Sequence, residues 1–295
     1  MATCDFFKLT PVEPLSSEEI QRVVRAALAE DIGSGDVTTL ATVPENTPGR
    51  AVMIAREPLT LAGIAFAEVA FKELSAALHI QRLVPDGHRV ESGTKLLAAS
   101  GPARPILSAE RVALNFVQRL SGVATLTAKF VEAVRGTRAQ IRDTRKTTPG
   151  WRRFEKYAVA CGGGRNHRFG LFDLVLIKDN HLAALAGERP NAIEAAVRRA
   201  RAAYPQLQVE VEADTLEQVE QAVAARADII LLDNMSPALL QQAVQLVAGQ
   251  ARTEASGGVS LETVRAIAGT GVDFISVGAI THSARAVDIA LDFEA

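Results

Sequence analysis

Between residues 139 and 278 short apolar segments alternate with helical stretches, and this alternation limits the fold more than any other feature of the chain. The segments are AQIR (139–142), DLVLI (173–177), QVEVE (208–212), DIILLD (228–233), RTEAS (252–256) and DFISVG (273–278). Helical periodicity fills 192–203, 215–225, 237–247 and 261–268, and a long apolar-periodic helix at 109–135 precedes the series. Strands separated by helices cross over and run parallel, with the helices covering the sheet. No Gly-x-Gly-x-x-Gly follows the first strand, which favours barrel-like closure over an open nucleotide-binding sheet. A full barrel needs eight strands, so a six-stranded one is incomplete.

The first hundred or so residues read differently. SEEIQRVVRAALAE (17–30) is a helix with a Ser-x-x-Glu-like start. AVMIA (51–55), LAGIAF (61–66) and LHIQRLV (78–84) read as short strands, and PDGHRVESGTKLLAASG carries an Asp-Gly turn, all hairpin signals for an antiparallel sheet. The fold class is therefore α/β, in two domains. The charges nearly balance, 32 basic against 34 acidic, so bulk binding to nucleic acid or a membrane surface is not expected and any anion site must come from local clustering. Cys4 and Cys161 stand far apart without metal-ligand spacing, which suits a reducing, cytoplasmic setting. MATCDFFKLT has no signal-peptide pattern, and no apolar run reaches the roughly 18 residues of a membrane span.

Chemistry in α/β barrels gathers at the carboxyl ends of the strands. The residues there are Asp143, Thr144, Arg145 and Lys146, then Lys178, then Glu212, then Asp233, then Ser256, Gly257 and Gly258, then Val277, Gly278 and Ala279. Each has a plain structural reading. Arg145 and Lys146 suit a solvated loop, Lys178 a surface pair with Asp179, Glu212 and Asp233 structural salt bridges, and the glycines ordinary turns. The strand-end position favours function for the whole set. Arg145, Lys146, Arg168 and Lys178 make an electropositive pocket for carboxylates or a pyrophosphate. His167 stands beside Arg168 after CGGGRN, a loop whose glycines permit close backbone approach. Glu212 and Asp233 suit Mg2+ or sugar hydroxyls, and the SGG and VGA turns after the last two strands suit a terminal phosphate. A phosphorylated sugar bearing a pyrophosphate, together with a small polyanionic acid, fits all three regions.

The residues carrying these features resemble the quinolinate phosphoribosyltransferase family. EDIGSGDVTT (30–39), SAERVALNFVQRLSGVAT (108–125), DTRKTTPG (143–150), GGGRNHRFGLFDLVLIKDNH (162–181), VEVEAD (209–214), ILLDN (230–234), SGGV (256–259) and VGAITHS (277–283) occur in order from about residue 20 onward. Trp151 stands where a smaller apolar residue is expected. The resemblance implies an N-terminal α/β sandwich domain (1–113, joined by a final helix at 285–295) and an open-sided six-stranded α/β barrel (114–284). It also implies a homodimer in which Arg111, otherwise an ordinary helix-surface arginine, reaches the neighbouring subunit's pocket.

The implied reaction joins quinolinate to phosphoribosyl pyrophosphate, giving nicotinate mononucleotide, pyrophosphate and carbon dioxide, with Mg2+. Lys146 and Lys178 are then expected at substrate and pyrophosphate, Glu212 and Asp233 at the ribose hydroxyls and Mg2+, and Arg111, Arg145, His167 and Arg168 at the quinolinate carboxylates. Three rivals stay open at the level of sequence: a related transferase acting on another acid such as nicotinate, a Schiff-base aldolase with Lys178 as nucleophile, and a non-catalytic phosphate-binding scaffold.

Overall fold

The computed structural model describes residues 14–294, in two compact units. One unit takes the chain up to 128, then 148–163, then 283 onward; the other takes 129–147 and 164–282. The break after the N-terminal part thus falls at 128 rather than at 113, and residues 148–163 return to the first unit.

In the first unit, α1 (Ser17–Ile32) is fixed by a reciprocal cap: Ser16 Oγ accepts the Glu19 N–H at 3.1 Å and the Glu19 carboxylate accepts the Ser16 N–H at 2.9 Å. There follow α2 (Val37–Thr42), β1 (Pro48–Ala55), β2 (Leu59–Thr60), α3 (Ile64–Leu74), β3 (His79–Arg82), β4 (Arg89–Val90), β5 (Lys95–Pro102) and the long α4 (Ala103–Ala133). LAGIAF, expected as a strand, leads instead into α3. The Asp86 carboxylate accepts the N–H groups of Gly63 and Ile64 at 2.9 and 3.1 Å, capping the helix, and Ile64, Phe66, Ala67, Ala70 and Phe71 are buried at helical spacing. The long helix begins before the expected residue 109 because Pro105 lies in its first turn, where the missing N–H does no harm. Phe66 stacks on Phe116 at 4.9 Å between ring centroids, and Phe116 on Trp151 at 5.1 Å. The large ring of Trp151 lengthens this aromatic stack, and Phe154 of α5 (Arg152–Cys161) meets it edge-on at 6.1 Å.

The second unit is a parallel sheet with alternating helices: β6 (Gln140–Arg142), β7 (Val175–Ile177), α6 (Asp179–Ala183), α7 (Ala192–Ala203), β8 (Val209–Ala213), α8 (Leu216–Ala224), β9 (Ile229–Asp233), α9 (Pro237–Val247), β10 (Arg252–Ser256), α10 (Val264–Ala268), β11 (Phe274–Ser276) and α11 (Ala279–His282). Its six strands run in the order β6-β11-β10-β9-β8-β7. The first strand pairs with the last and the second stands at the other edge, so the sheet curls in sequence order and stays open between β6 and β7. Arg165 pairs with Arg142 on the open side of β6, so the segment after α5 lies along that edge.

The chain then enters β12 (Ile289–Glu294), which pairs antiparallel with β1, Ile289 opposite Ala55 and Glu294 opposite Arg50. This completes a four-stranded antiparallel sheet in the first unit, of order β12-β1-β5-β3. Of the segment 285–295, expected as a final helix, Ile289–Glu294 is therefore a strand and 285–288 an irregular lead-in. Ile289, Leu291 and Phe293 recur at every second position, the strand period, and the edge of β1 satisfies their backbone, while the Val287 N–H donates to the Gln118 carbonyl at 3.2 Å. The lead-in to β12 rests on Gly122 of α4, where an added Cβ would lie 2.0 Å from the Arg285 carbonyl oxygen. Gly122→Ala is expected to destabilise the fold by about 1–3 kcal/mol, the range for overpacking a closed contact. Chemical denaturation measures this, and an unchanged midpoint would show that the lead-in does not depend on the close approach. Among the described residues no helix is long and apolar enough to cross a membrane.

Candidate active site

A cavity of about 540 Å3 opens at the carboxyl ends of the barrel strands. Thr144, Arg145 and Lys146 line it from the turn after β6, His167 and Arg168 from the segment along the open edge, and Lys178 from the end of β7. Glu212, Asp233 and Ser256 line it from the ends of β8, β9 and β10. Thus nine residues predicted from strand ends and the glycine loop converge on one space. Gly257, Gly258, Val277, Gly278 and Ala279 do not line it, although Gly278 abuts it: a Cβ there would lie 3.2 Å from Lys146 Cδ. Arg111 is an exposed residue of α4 in the first unit.

The loop bearing His167 and Arg168 is anchored by Asp143, fully buried just past β6. Its carboxylate accepts the His167 N–H at 2.7 Å and the Asn166 Nδ2–H at 2.9 Å, while the Asp143 N–H donates to the Arg165 carbonyl at 3.1 Å. Asp143 therefore serves the loop rather than the cavity. Thr144 also works locally, its Oγ1 accepting the Lys146 N–H at 3.0 Å, and the Thr281 hydroxyl donates to the Lys146 carbonyl at 2.8 Å. These bonds fix the backbone of the turn and leave the Lys146 side chain exposed.

The cations of the cavity crowd one another. Arg168 donates from Nη1 to the Leu174 carbonyl at 3.2 Å, while its Nε is buried without a hydrogen-bond partner. Burial, and then repulsion from Arg145, lower the Arg168 pKa. Two guanidiniums held in such an arrangement are relieved by a bound anion. Lys178 Nζ lies 3.8 Å from Glu212 Oε2. The pairing with Asp179 weighed from sequence is replaced by one between the ends of the neighbouring strands β7 and β8.

The carboxylates form an opposing set. Burial raises the Glu212 pKa, Lys178 opposes that rise, and the like charge of Asp233 adds to it. Asp214 is raised in turn by burial, then by Asp233 and Asp179. Crowded, repelling carboxylates supply hard oxygen donors of the kind Mg2+ takes, so the residues present fit that ion. Asp233 is steadied by Asn234, whose Nδ2–H donates to Oδ2 at 2.6 Å and whose N–H donates to the Ser256 carbonyl at 2.9 Å. This ties the ends of β9 and β10 together. It also requires glycine at 257, which has φ +92° and where a Cβ would lie 2.1 Å from Asn234 Oδ1.

Comparison with known proteins shows the family. The family description "Quinolinate phosphoribosyl transferase, C-terminal domain" matches residues 123–292, and its N-terminal counterpart matches 36–121. The chain belongs to the quinolinate phosphoribosyl transferase family. A nicotinate-nucleotide pyrophosphorylase (carboxylating) of Mycobacterium leprae is 48% identical over 275 residues, spanning 91% of this chain and 95% of its own length. A probable nicotinate-nucleotide pyrophosphorylase (carboxylating) of Bacillus subtilis is 40% identical, spanning 93% of each. The solved nicotinate-nucleotide pyrophosphorylase from Francisella tularensis matches with a TM-score of 0.90 at 41% identity, over 96% of this chain and 99% of that one.

This quinolinate phosphoribosyl transferase fold also holds a buried polar group inside the barrel that the strand-end reading missed. Glu210 and Glu254 are fully buried and Arg142 nearly so. Arg142 Nη1 donates to Glu254 Oε2 at 2.5 Å, its guanidinium lies 3.3 Å from the centre of the Phe274 ring, and the Ser276 hydroxyl donates to Glu254 Oε1. His167 Nε2 reaches this group, 3.0 Å from Glu210 and 3.6 Å from Glu254. The signal lay in VEVE: alternation puts Glu210 on the same strand face as Glu212, one layer deeper. The ligating atoms of His167, Glu210 and Glu254 lie within 4.8 Å of one another, but Arg142 already neutralises Glu254, so the cluster is an ion network rather than a cation site.

Proposed function

We propose that the protein transfers the phosphoribosyl group from phosphoribosyl pyrophosphate to quinolinate, with loss of carbon dioxide, giving nicotinate mononucleotide and pyrophosphate for pyridine nucleotide synthesis. The observation that carries the reading is the single cavity in which Arg145, Arg168, Lys146 and Lys178 face Glu212 and Asp233. Family membership narrows the acid and the sugar donor, since the relatives' names describe a carboxylating nicotinate-nucleotide pyrophosphorylase.

The site residues follow from charge. Arg145 and Arg168 hold the quinolinate carboxylates through bidentate forks and aim the ring nitrogen at the sugar carbon. Lys146 and Lys178 hold pyrophosphate, and the Ser256–Gly258 and Val277–Ala279 turns receive the sugar's terminal phosphate. Glu212 and Asp233 hold the ribose hydroxyls and Mg2+, directly or through water. When bound, Mg2+ supplies charge neutralisation for the departing pyrophosphate. As the C–O bond to pyrophosphate breaks, positive charge develops on the ribose, and the two carboxylates stabilise it while the lysines stabilise the leaving group. The quinolinate nitrogen forms the new bond to the sugar carbon. The ring is then cationic, so the adjacent carboxylate leaves as carbon dioxide, and the electron pair left on the ring carbon takes a proton. No protein base is required for that step.

Arg111, exposed on α4, is assigned to the neighbouring subunit's pocket in a homodimer, where it would add a cation for the second carboxylate. A cytoplasmic setting fits the free thiol of Cys161; Cys4 lies outside the described residues. The aldolase reading is disfavoured because a Schiff-base lysine is activated by desolvation or a neighbouring cation, whereas Lys178 is half-exposed and lies 3.8 Å from the Glu212 carboxylate. Incubation with quinolinate and phosphoribosyl pyrophosphate is expected to yield nicotinate mononucleotide and one carbon dioxide per turnover. Nucleotide formed from nicotinate without carbon dioxide would instead make the protein a transferase for the monoacid.

A further inference from the structure

Glu210 takes no part in the chemistry above, yet it is fully buried, neither of its oxygens has a hydrogen bond of full geometry among the described residues, and the polar contact it does have is with the His167 imidazole. A carboxylate in that position is strongly disfavoured unless one partner compensates it. Here that partner is His167 Nε2, at 3.0 Å. The other ring nitrogen is engaged as well: Nδ1 accepts the Arg168 N–H at 2.7 Å. A ring whose Nδ1 is an acceptor carries its proton on Nε2, where it points at Glu210 and Glu254. Burial resists a second proton on the ring, but the charges of Glu254 and Glu210 outweigh it and raise the His167 pKa. That proton would have to sit on Nδ1, where the Arg168 N–H already points, so the hydrogen-bond geometry decides for the neutral ring. Both nitrogens are thus spent on the protein, and His167 acts on the cavity through Arg168 rather than through its own polar atoms.

We propose that Glu210 is a positioning residue for quinolinate binding: it fixes the Nε2–H tautomer of His167, which clamps the backbone of Arg168 and so aims the Arg168 guanidinium into the cavity. Two further contacts complete the clamp. Asp143 accepts the His167 N–H from the β6 side, and the Leu174 carbonyl accepts from Arg168 Nη1, so the arginine is held at both its backbone and its head. Glu254, committed to Arg142 and Ser276, is the fixed wall against which Glu210 and the imidazole pack. The logic is that of an outer carboxylate orienting a histidine, with a peptide N–H in place of the usual metal or nucleophile.

The inference rests on the assignment of Arg168 to the quinolinate carboxylates, and the test separates the two. Imidazole 15N spectra of the full-length protein are expected to show His167 as the Nε2–H tautomer. Glu210→Gln, which still offers an oxygen to Nε2–H, is expected to keep that tautomer and to change the quinolinate KM less than about threefold. Glu210→Leu is expected to lose the tautomer and raise the quinolinate KM about tenfold or more, the scale on which loss of a histidine's outer partner acts elsewhere, with the phosphoribosyl pyrophosphate KM unchanged. A His167 protonated on Nδ1 in the unaltered protein would overturn the clamp whether or not either variant folds. A folded Glu210→Leu protein with an unaltered quinolinate KM would overturn it too, provided Arg168→Ala raises that KM. If Arg168→Ala leaves the KM unchanged, it is the substrate assignment that fails, and the tautomer still decides the clamp.

Discussion

Arg168→Ala is expected to raise the quinolinate KM by about two orders of magnitude while the KM for phosphoribosyl pyrophosphate and the thermal midpoint stay near their unaltered values. Charge-assisted hydrogen bonds contribute roughly 1.5–3 kcal/mol each, and a bidentate grip on a carboxylate loses both at once, which at the lower end of that range corresponds to about a hundredfold in affinity. The fold is not expected to suffer. Arg168 makes one backbone hydrogen bond through its head, to Leu174, and sits under repulsion from Arg145. Removing it relieves that repulsion, so a modest gain in stability would be consistent with a guanidinium held ready for an anion. Steady-state kinetics with each substrate varied in turn, together with a melting curve, measure both halves. Unaltered quinolinate kinetics would remove Arg168 from the acid site.

Glu212→Ala is expected to act on the other half of the reaction. It removes the Lys178 partner at 3.8 Å and one of the two cavity carboxylates proposed for the ribose. A group that stabilises developing charge only as pyrophosphate departs acts on kcat, so a loss of about 10²–10³ in kcat is expected, on the scale of removing one electrostatic contact from a preorganised site. The Mg2+ concentration for half-maximal rate should rise with it. Glu212→Gln keeps the shape and removes the charge, so it should resemble the alanine variant if the charge is what matters. An unaltered Mg2+ requirement in both variants would take Glu212 out of the metal's coordination and leave it the ribose hydroxyls alone.

Most of the cavity was legible because it lies where a simple rule looks. A strand that is apolar until its last residue and then charged, as in IILLD, advertises the mouth of a barrel, and Arg145, Lys146, Lys178, Glu212 and Asp233 were all found that way. The rule stops at the rim. Glu210 and Glu254 lie deeper, within stretches that a scan of strand ends treats as core, and only counting by twos from Glu212 exposes the first of them. Arg142 closes AQIR just before the basic run DTRKTTPGWRR (143–153), yet its head is inside the barrel against Glu254 and Phe274. The run itself divides: residues through Thr147 belong to the barrel unit, and Arg152 and Arg153 open α5, where Arg153 meets Glu19 of α1 at 3.3 Å. The helix expected at 285–295 came from resemblance rather than from its residues, whose alternation of Ile289, Leu291 and Phe293 points to a strand.

That strand has a consequence for how the molecule is made. The sheet of the first unit needs β12 beside β1, and on the ribosome β12 emerges only after all six strands of the barrel. The barrel's segments, 129–147 and 164–282, are therefore complete during synthesis at a moment when β1 still presents a bare edge to whatever is nearby. For that interval the nascent chain holds every strand of the barrel, but one strand too few for the sheet of the first unit.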